Sequence, residues 1–254
     1  MTLEPDSLKE SGRNADPDEM ILRLATAPHA YLAGALENPA LTIRHVAILL
    51  RNRGADESMI QSIGSDPRWT QTYEVKKAIV RHPKAPNAMA LNLVRHLLWK
   101  DLAGVAGDPF LFPPLRRLAE RILGEKLGDM ALGEKISLAR SSGRGLIAKF
   151  LDDANPKVLE AALWNGKVTS SDVLTCAARP TSRPVILEAI TRHPRWNTRR
   201  DVRLALLRNP GTPVAAGISL LSGLGQADIR ALAELPDTPR ALKLACARML
   251  RGRS

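Results

Sequence analysis

Five histidines, two cysteines and a long series of arginines are the side chains on which any chemistry in this 254-residue chain has to rest. His29, His45, His82, His96 and His193 show no HExxH or comparable spacing that would turn two imidazoles toward one metal ion, so no metal site is expected. Cys176 and Cys246 lie far apart, without a CxxC spacing and each among Ala and Leu, which reads as two buried free thiols. No GxSxG elbow marks a nucleophilic serine. Ser141-Ser142-Gly143-Arg144-Gly145 precedes a predicted helix and could offer backbone amides to a phosphate with Arg144 assisting, but it lacks the Lys and the spacing of a P-loop and reads as a connection. Gly223-Leu224-Gly225 follows no predicted strand and matches no dinucleotide fingerprint. The catalytic residues are therefore unassigned, and no cofactor is expected.

The basic side chains are the better candidates. The net charge is +11, and residues 192–254 hold 12 Arg/Lys against four Asp/Glu. Arg199, Arg200 and Arg203 fall on successive turns of one predicted helix, with Arg195 before it and Arg208 at its end. Arg68, Lys76, Lys77 and Arg81 stand in matching or adjacent positions earlier in the chain. Spacings of three and four residues place such cations on one helix face, where they would present a ridge to phosphates or carboxylates. Trp69 and Trp196 open equivalent segments. Each would either bound a groove and stack on bases or staple its junction onto the next helix pair.

The elements that position these residues are helical. Aromatic residues make up only 4% of the chain while the hydrophobic fraction is 44%, a balance suited to Ala/Leu-packed helices. Residues 1–16 are polar and without periodicity and are expected to form a disordered leader. Asp16-Pro17, followed by Asp18 and Glu19, is a helix start, with Asp at the N-cap and Pro at the first helical position. Roughly seventeen short amphipathic segments follow, separated by Pro, Gly, Asn or Asp, and none alternates as a strand does. No apolar run approaches the roughly 18 residues of a membrane span, and the polar N-terminus does not resemble a signal peptide, so a cytoplasmic location is expected.

Residues 66–123 repeat at 193–250 without a gap. Pro67-Arg68-Trp69 falls on Pro194-Arg195-Trp196, Val75 on Val202, Arg81 on Arg208, Pro83 and Pro86 on Pro210 and Pro213, and Asp101 on Asp228. His82 falls on Asn209 and His193 on Asp66, which are residue types of helix ends and turns. Upstream, Asn38-Pro39 resembles Asn155-Pro156, and Asn52 and Ser58 resemble Asn165 and Ser171. That pairing implies a helix inserted near residues 184–191 of the second copy. Helix pairs repeated in this way bury their apolar faces by stacking, so the expected fold is all-α: a right-handed α-solenoid with an internal duplication, forming one domain over residues 17–254.

The recurring Asn-Pro, Asp-Pro and His-Pro junctions resemble those of bacterial HEAT-like and leucine-rich-repeat-variant solenoids. This resemblance implies an architecture and transfers no site. The function it suggests is a non-enzymatic scaffold whose basic C-terminal half engages an acidic partner, protein or nucleic acid. The alternative is a DNA-binding repair protein of the HEAT-like alkylpurine DNA glycosylase type. Asp101 and Asp228 are duplicated acids for such an enzyme, although their place at a helix start points to capping.

Overall fold

The computed structural model describes residues 4–236 and 238–251, and among these it contains α-helices, one short 3-10 turn at Val94–His96 and no strand. The chain divides into two compact units, Met1–Glu125 and Lys126–Ser254, where a single domain was expected.

The first unit comprises α1 (Pro5–Arg13), α2 (Pro17–Arg23), α3 (His29–Leu36), α4 (Ile43–Leu49), α5 (Glu57–Ser65), α6 (Pro67–Thr70), α7 (Tyr73–Arg81), α8 (Asn87–Leu93), α9 (Trp99–Gly107) and α10 (Pro113–Lys126). Its core gathers Met20, Leu24, Leu32, Val46, Ile60 and Ile79, all essentially inaccessible to solvent. The second unit comprises α11 (Leu132–Ser141), α12 (Arg144–Leu151), α13 (Pro156–Leu163), α14 (Ser170–Ala178), α15 (Pro184–Arg192), α16 (Arg200–Arg208), α17 (Val214–Leu221), α18 (Gln226–Glu234) and α19 (Arg240–Arg251). Here α11, α13, α15, α17 and α19 pack one on the next, and α14, α16 and α18 form a second series beside them. In the first unit, α3 packs on α1, α4 on α2 and α7 on α4. In the second unit, helices thus pack on the helix two places along and, as α11 on α12, α12 on α13, α14 on α15, α15 on α16, α16 on α17 and α18 on α19 do, on an immediate neighbour.

Prolines begin many of these helices, where the missing N–H costs nothing: Pro5, Pro17, Pro67, Pro156 and Pro184 all stand in the first turn. Asp16 caps α2 by accepting from the Asp18 N–H at 2.9 Å, and Asp56 caps α5 by accepting from the Met59 N–H at 2.9 Å. That amide, together with the His29 imidazole and the Ser58 hydroxyl, brings the Asp56 carboxyl down to about 2.

Two expectations are corrected. Residues 1–16 are not a disordered leader over their described part: Pro5–Arg13 is helical, and Gly12 and Ala15 are buried. Residues 1–3 lie outside the described residues. The leader packs because Gly12 and Gly34 let α1 and α3 touch backbone to backbone, and a Cβ on either would drive into the carbonyls of Tyr31 or Lys9. The helix starts also displace the upstream pairing of Asn38-Pro39 with Asn155-Pro156. Pro5 and Leu132, Pro17 and Arg144, His29 and Pro156, Ile43 and Ser170, and Glu57 and Pro184 all begin helices 127 residues apart, as do Tyr73 and Arg200 or Pro113 and Arg240. Helix α15 therefore stands where α5 does and is no insertion.

Buried loop amides show the same register. Asn38 Nδ2 donates to the carbonyls of Gly12 (3.3 Å) and Ala15 (2.9 Å), and its Oδ1 accepts from the Ala40 N–H (2.9 Å). Asn165, 127 residues on, donates to Ala139 (2.9 Å) and Ser142 (3.2 Å) and accepts from the Lys167 N–H (2.9 Å). Asn52 and Asn209 each bond two upstream carbonyls and one downstream amide in the same manner. Asn155, by contrast, is the N-cap of α13, with its Oδ1 accepting from the Lys157 N–H, so the Asn-Pro dipeptides at 38 and 155 play different roles.

Replacing either buried amide by Ala strands carbonyls and an N–H away from water. Asn38→Ala and Asn165→Ala are each expected to cost about 2–3 kcal/mol, read as a lowered urea midpoint with an unchanged slope. A cost below about 0.5 kcal/mol at both positions would show that water reaches these groups.

Candidate functional site

The cations singled out from the sequence lie on two corresponding helices, α7 and α16, and most are already engaged. Arg200, the first residue of α16, forms a bidentate pair with Asp228 of α18 at 2.7 and 2.6 Å. Arg199 precedes the helix in its extended N-cap position, outside the helical face that carries Arg200, and reaches forward to Asp201 at 3.3 Å. The Arg203 guanidinium donates to the Asn197 carbonyl and packs on Gly223, where an added Cβ would collide with it. Arg195 lies over the Trp196 ring, 4.3 Å from its centroid. Arg208 is exposed and, like Arg195, forms no ion pair among the described residues.

In the first unit Lys77 contacts Asp101 at 3.3 Å and Glu74 at 3.8 Å, and Arg81 approaches Asp101 at 3.9 Å. Lys76 is half-buried and has no acidic partner among the described residues. Arg68 pairs with Asp66 at 2.6 Å.

Asp101 and Asp228 are ties between helices, where capping was expected. The Asp101 carboxylate accepts from the Tyr73 hydroxyl at 2.5 Å, as Asp228 accepts from Arg200 in the corresponding place. Burial pushes the Asp101 carboxyl up, but Tyr73 and Lys77 together hold it below its ordinary value, and the Arg200 bonds hold Asp228 down. The same tie joins the start of α12 to α14. Arg144 reaches Asp172 at 2.5 Å and the Lys167 carbonyl at 2.9 Å, which removes it from any phosphate-binding role at the Ser141–Gly145 loop.

What remains open beside α16 is a groove of about 520 Å³ lined by Pro180, Arg200, Asp201, Leu204, Arg208 and Asn209. Arg200, Leu204 and Arg208 recur every four residues and so share one face. Its charge is mixed. Arg200 is paired with Asp228, and Arg208 at the helix end is exposed without an ion pair of its own among the described residues, although its charge also acts on Asp228.

The two tryptophans diverge. Trp196 is 1% exposed and its Nε1–H donates to the Leu163 carbonyl at 3.1 Å, so it staples its loop onto α13 and presents no face to a ligand. Trp69 is half-buried, with Arg68 lying 5.0 Å from its ring centroid. The exposed indole in the second unit is Trp164, at 50%, which the sequence did not single out because Glu37 occupies the corresponding place in the first unit.

His82 and His193 take turn roles: Nδ1 of each accepts an N–H two residues on, from Lys84 at 3.1 Å and from Arg195 at 3.3 Å. Burial pushes both below the ordinary histidine value, with a further push from Arg195 at His193. Both cysteines are buried free thiols whose pKa burial raises. Among the described residues no group of three or more His, Cys, Asp and Glu is placed to hold a metal ion, and no helix is long and apolar enough to cross a membrane. No protein-family model, curated protein or solved structure matches the chain.

Because the folded pKa of both histidines lies below the unfolded value of about 6.5, their neutral burial stabilises fully above that pH, and stability falls as the pH drops through it. Urea unfolding between about pH 7.5 and about pH 5.5 should show this loss. His82→Asn, which installs the residue found at position 209, should flatten part of the slope. An unchanged slope would show that His82 is not held neutral.

Proposed function

We propose that the chain is a duplicated, right-handed α-solenoid of HEAT-like repeats that works in the cytoplasm as a non-enzymatic binding scaffold, its basic C-terminal half engaging an acidic partner, nucleic acid or protein. The nine helix starts that recur 127 residues apart support the duplication, and the side-by-side packing of alternate helices supports the stacked architecture. Buried free thiols at Cys176 and Cys246 suit a reducing compartment.

The observation that carries the binding proposal is where cations outnumber acids. Helices α17 and α19 contain no acid, α19 carries Arg240, Lys243, Arg248 and Arg251, and Arg195 and Arg208 add two further cations without an ion pair among the described residues. Arg240, Arg248 and Arg251 are exposed, and so is Leu244, at 62%. An excess of cations of this kind attracts polyanions over a screening length of about 8 Å at physiological salt. The glycosylase alternative is less favoured, since Asp101 and Asp228 are both consumed in ties between helices.

Fluorescence anisotropy with labelled duplex DNA, single-stranded DNA and an acidic peptide tests the scaffold proposal. Binding to at least one should weaken steeply with salt, and Arg208→Glu with Arg248→Glu should weaken it about tenfold or more at low salt. Absence of binding to all three at low salt overturns it. Base release from methylated duplex by the unaltered chain would move the function to the glycosylase class.

A further inference from the structure

A second recess in the second unit lies between α13 and the end of α15, apart from the groove beside α16. It has a volume of about 210 Å³ and is lined by Pro156, Glu160, Trp164, Arg192, His193 and Pro194. Glu160 and Trp164 stand four residues apart at the end of α13, so one helix face carries both the carboxylate and the half-exposed indole. The His193 ring packs against Trp164 at 4.4 Å between centroids and 54° between planes, and is 4% exposed.

His193 differs from the other loop residues of its kind. Its Nδ1 accepts from the Arg195 N–H, which leaves the ring proton on Nε2, and that Nε2–H is buried without a hydrogen-bond partner among the described residues. In the equivalent role His82 bonds the Asn52 carbonyl, and Asn38, Asn52, Asn165 and Asn209 each bond two carbonyls. At His193 the Leu163 carbonyl, an upstream acceptor on α13, is taken by Trp196. A buried donor left in this state costs about 1–3 kcal/mol, so it marks a place where an acceptor belongs.

The wall charges select the acceptor's chemistry. Arg192 is paired with Glu188 at 2.5 Å, while the Glu160 carboxylate forms no ion pair or hydrogen bond among the described residues and acts on His193 only through its charge. An anion would meet the Glu160 carboxylate, and a cation would meet the His193 donor. A neutral ring with one acceptor and one donor on the same edge satisfies both, and the Trp164 face supplies a stacking surface. In the first unit the corresponding places hold Ala33, Glu37 and Asp66, and Glu37 and Asp66 are ion-paired to Lys9 and Arg68. The aromatic wall thus belongs to the second unit.

We propose that this recess binds a single neutral heteroaromatic ring of the nucleobase type, stacked on Trp164, with His193 Nε2–H donating to a ring acceptor and Glu160 accepting from an exocyclic amine. Adenosine and cytidine carry that pair of groups side by side and have no charge, so their binding is independent of the basic surface proposed above.

Calorimetric titration of the full chain with adenosine and with cytidine, at low and at high salt, tests the site. Saturable binding of at least one, little changed by salt, is expected. Trp164→Ala should weaken it about tenfold, in line with the loss of one stacking platform. Glu160→Gln, on an exposed side chain, should weaken it severalfold without altering the circular dichroism. His193→Asp keeps an acceptor for the Arg195 N–H, as Asp66 does for Arg68, while removing the donor, and should weaken both nucleosides about tenfold. Failure of both nucleosides to bind, or binding indifferent to Trp164→Ala and Glu160→Gln, overturns the site. Nucleoside binding without polyanion binding would retain the recess and remove the basic-surface proposal, and the reverse result would do the opposite.

Discussion

Short helices impose a debt of unpaired backbone groups that the rest of this structure is arranged to settle. A helix leaves its first four N–H and last four C=O groups without partners, so in elements of seven to nine residues such as α2, α4 and α16 most peptide units have one end exposed. Loops between stacked helices cannot all be hydrated, so the orphaned carbonyls need buried donors. Asn38, Asn52, Asn165 and Asn209 supply them, each bonding two carbonyls of the preceding turn of chain while its own oxygen fixes the local bend. The spacing of helices, the Pro and Gly that follow these amides, and the register between neighbouring helices follow from that requirement.

Much of this was legible in the sequence, because Pro, Asn and Asp at helix starts and ends act locally. Asp16-Pro17 predicted a capped start and α2 begins there. Residues 66–123 and 193–250 align through their prolines and apolar positions, and helices begin at the same offset in both segments, at Tyr73 and Arg200 or Pro113 and Arg240. The upstream alignment failed because it matched Asn-Pro dipeptides by identity. Asn155 caps a helix from outside, whereas the true counterpart of Asn38 is Asn165, which is followed by Gly, and only the hydrogen bonds separate the two roles. The packed leader escaped notice for a related reason: α1 is held by the absence of side chains at Gly12 and Gly34, which no apolar pattern displays.

Site residues were less legible than elements. Helical spacing predicted a common face for Arg199, Arg200 and Arg203, but one is a cap, one pairs with Asp228 and one turns inward to Asn197. Formal charge counts such arginines as available although each is already engaged by a neighbouring acid or carbonyl. Tyr73 makes the point from the other side, since it takes the place of Arg200 and delivers the same tie to an aspartate with no charge at all. Trp164 and His193 form their recess only because α13 and α15 meet, a proximity that linear spacing does not encode.

The ties between helices share one property. Lys9 to Glu37, His45 to Pro17, Tyr73 to Asp101, Arg144 to Asp172, Trp196 to Leu163 and Arg200 to Asp228 all close loops of similar, modest length, and none reaches across a whole unit. Closing such a loop costs little entropy, so ordering can begin at any helix pair and spread to its neighbours. The same locality governs failure. A pulling force or a protease acting at one end meets a succession of small barriers, and the chain yields helix pair by helix pair while the remainder keeps its form.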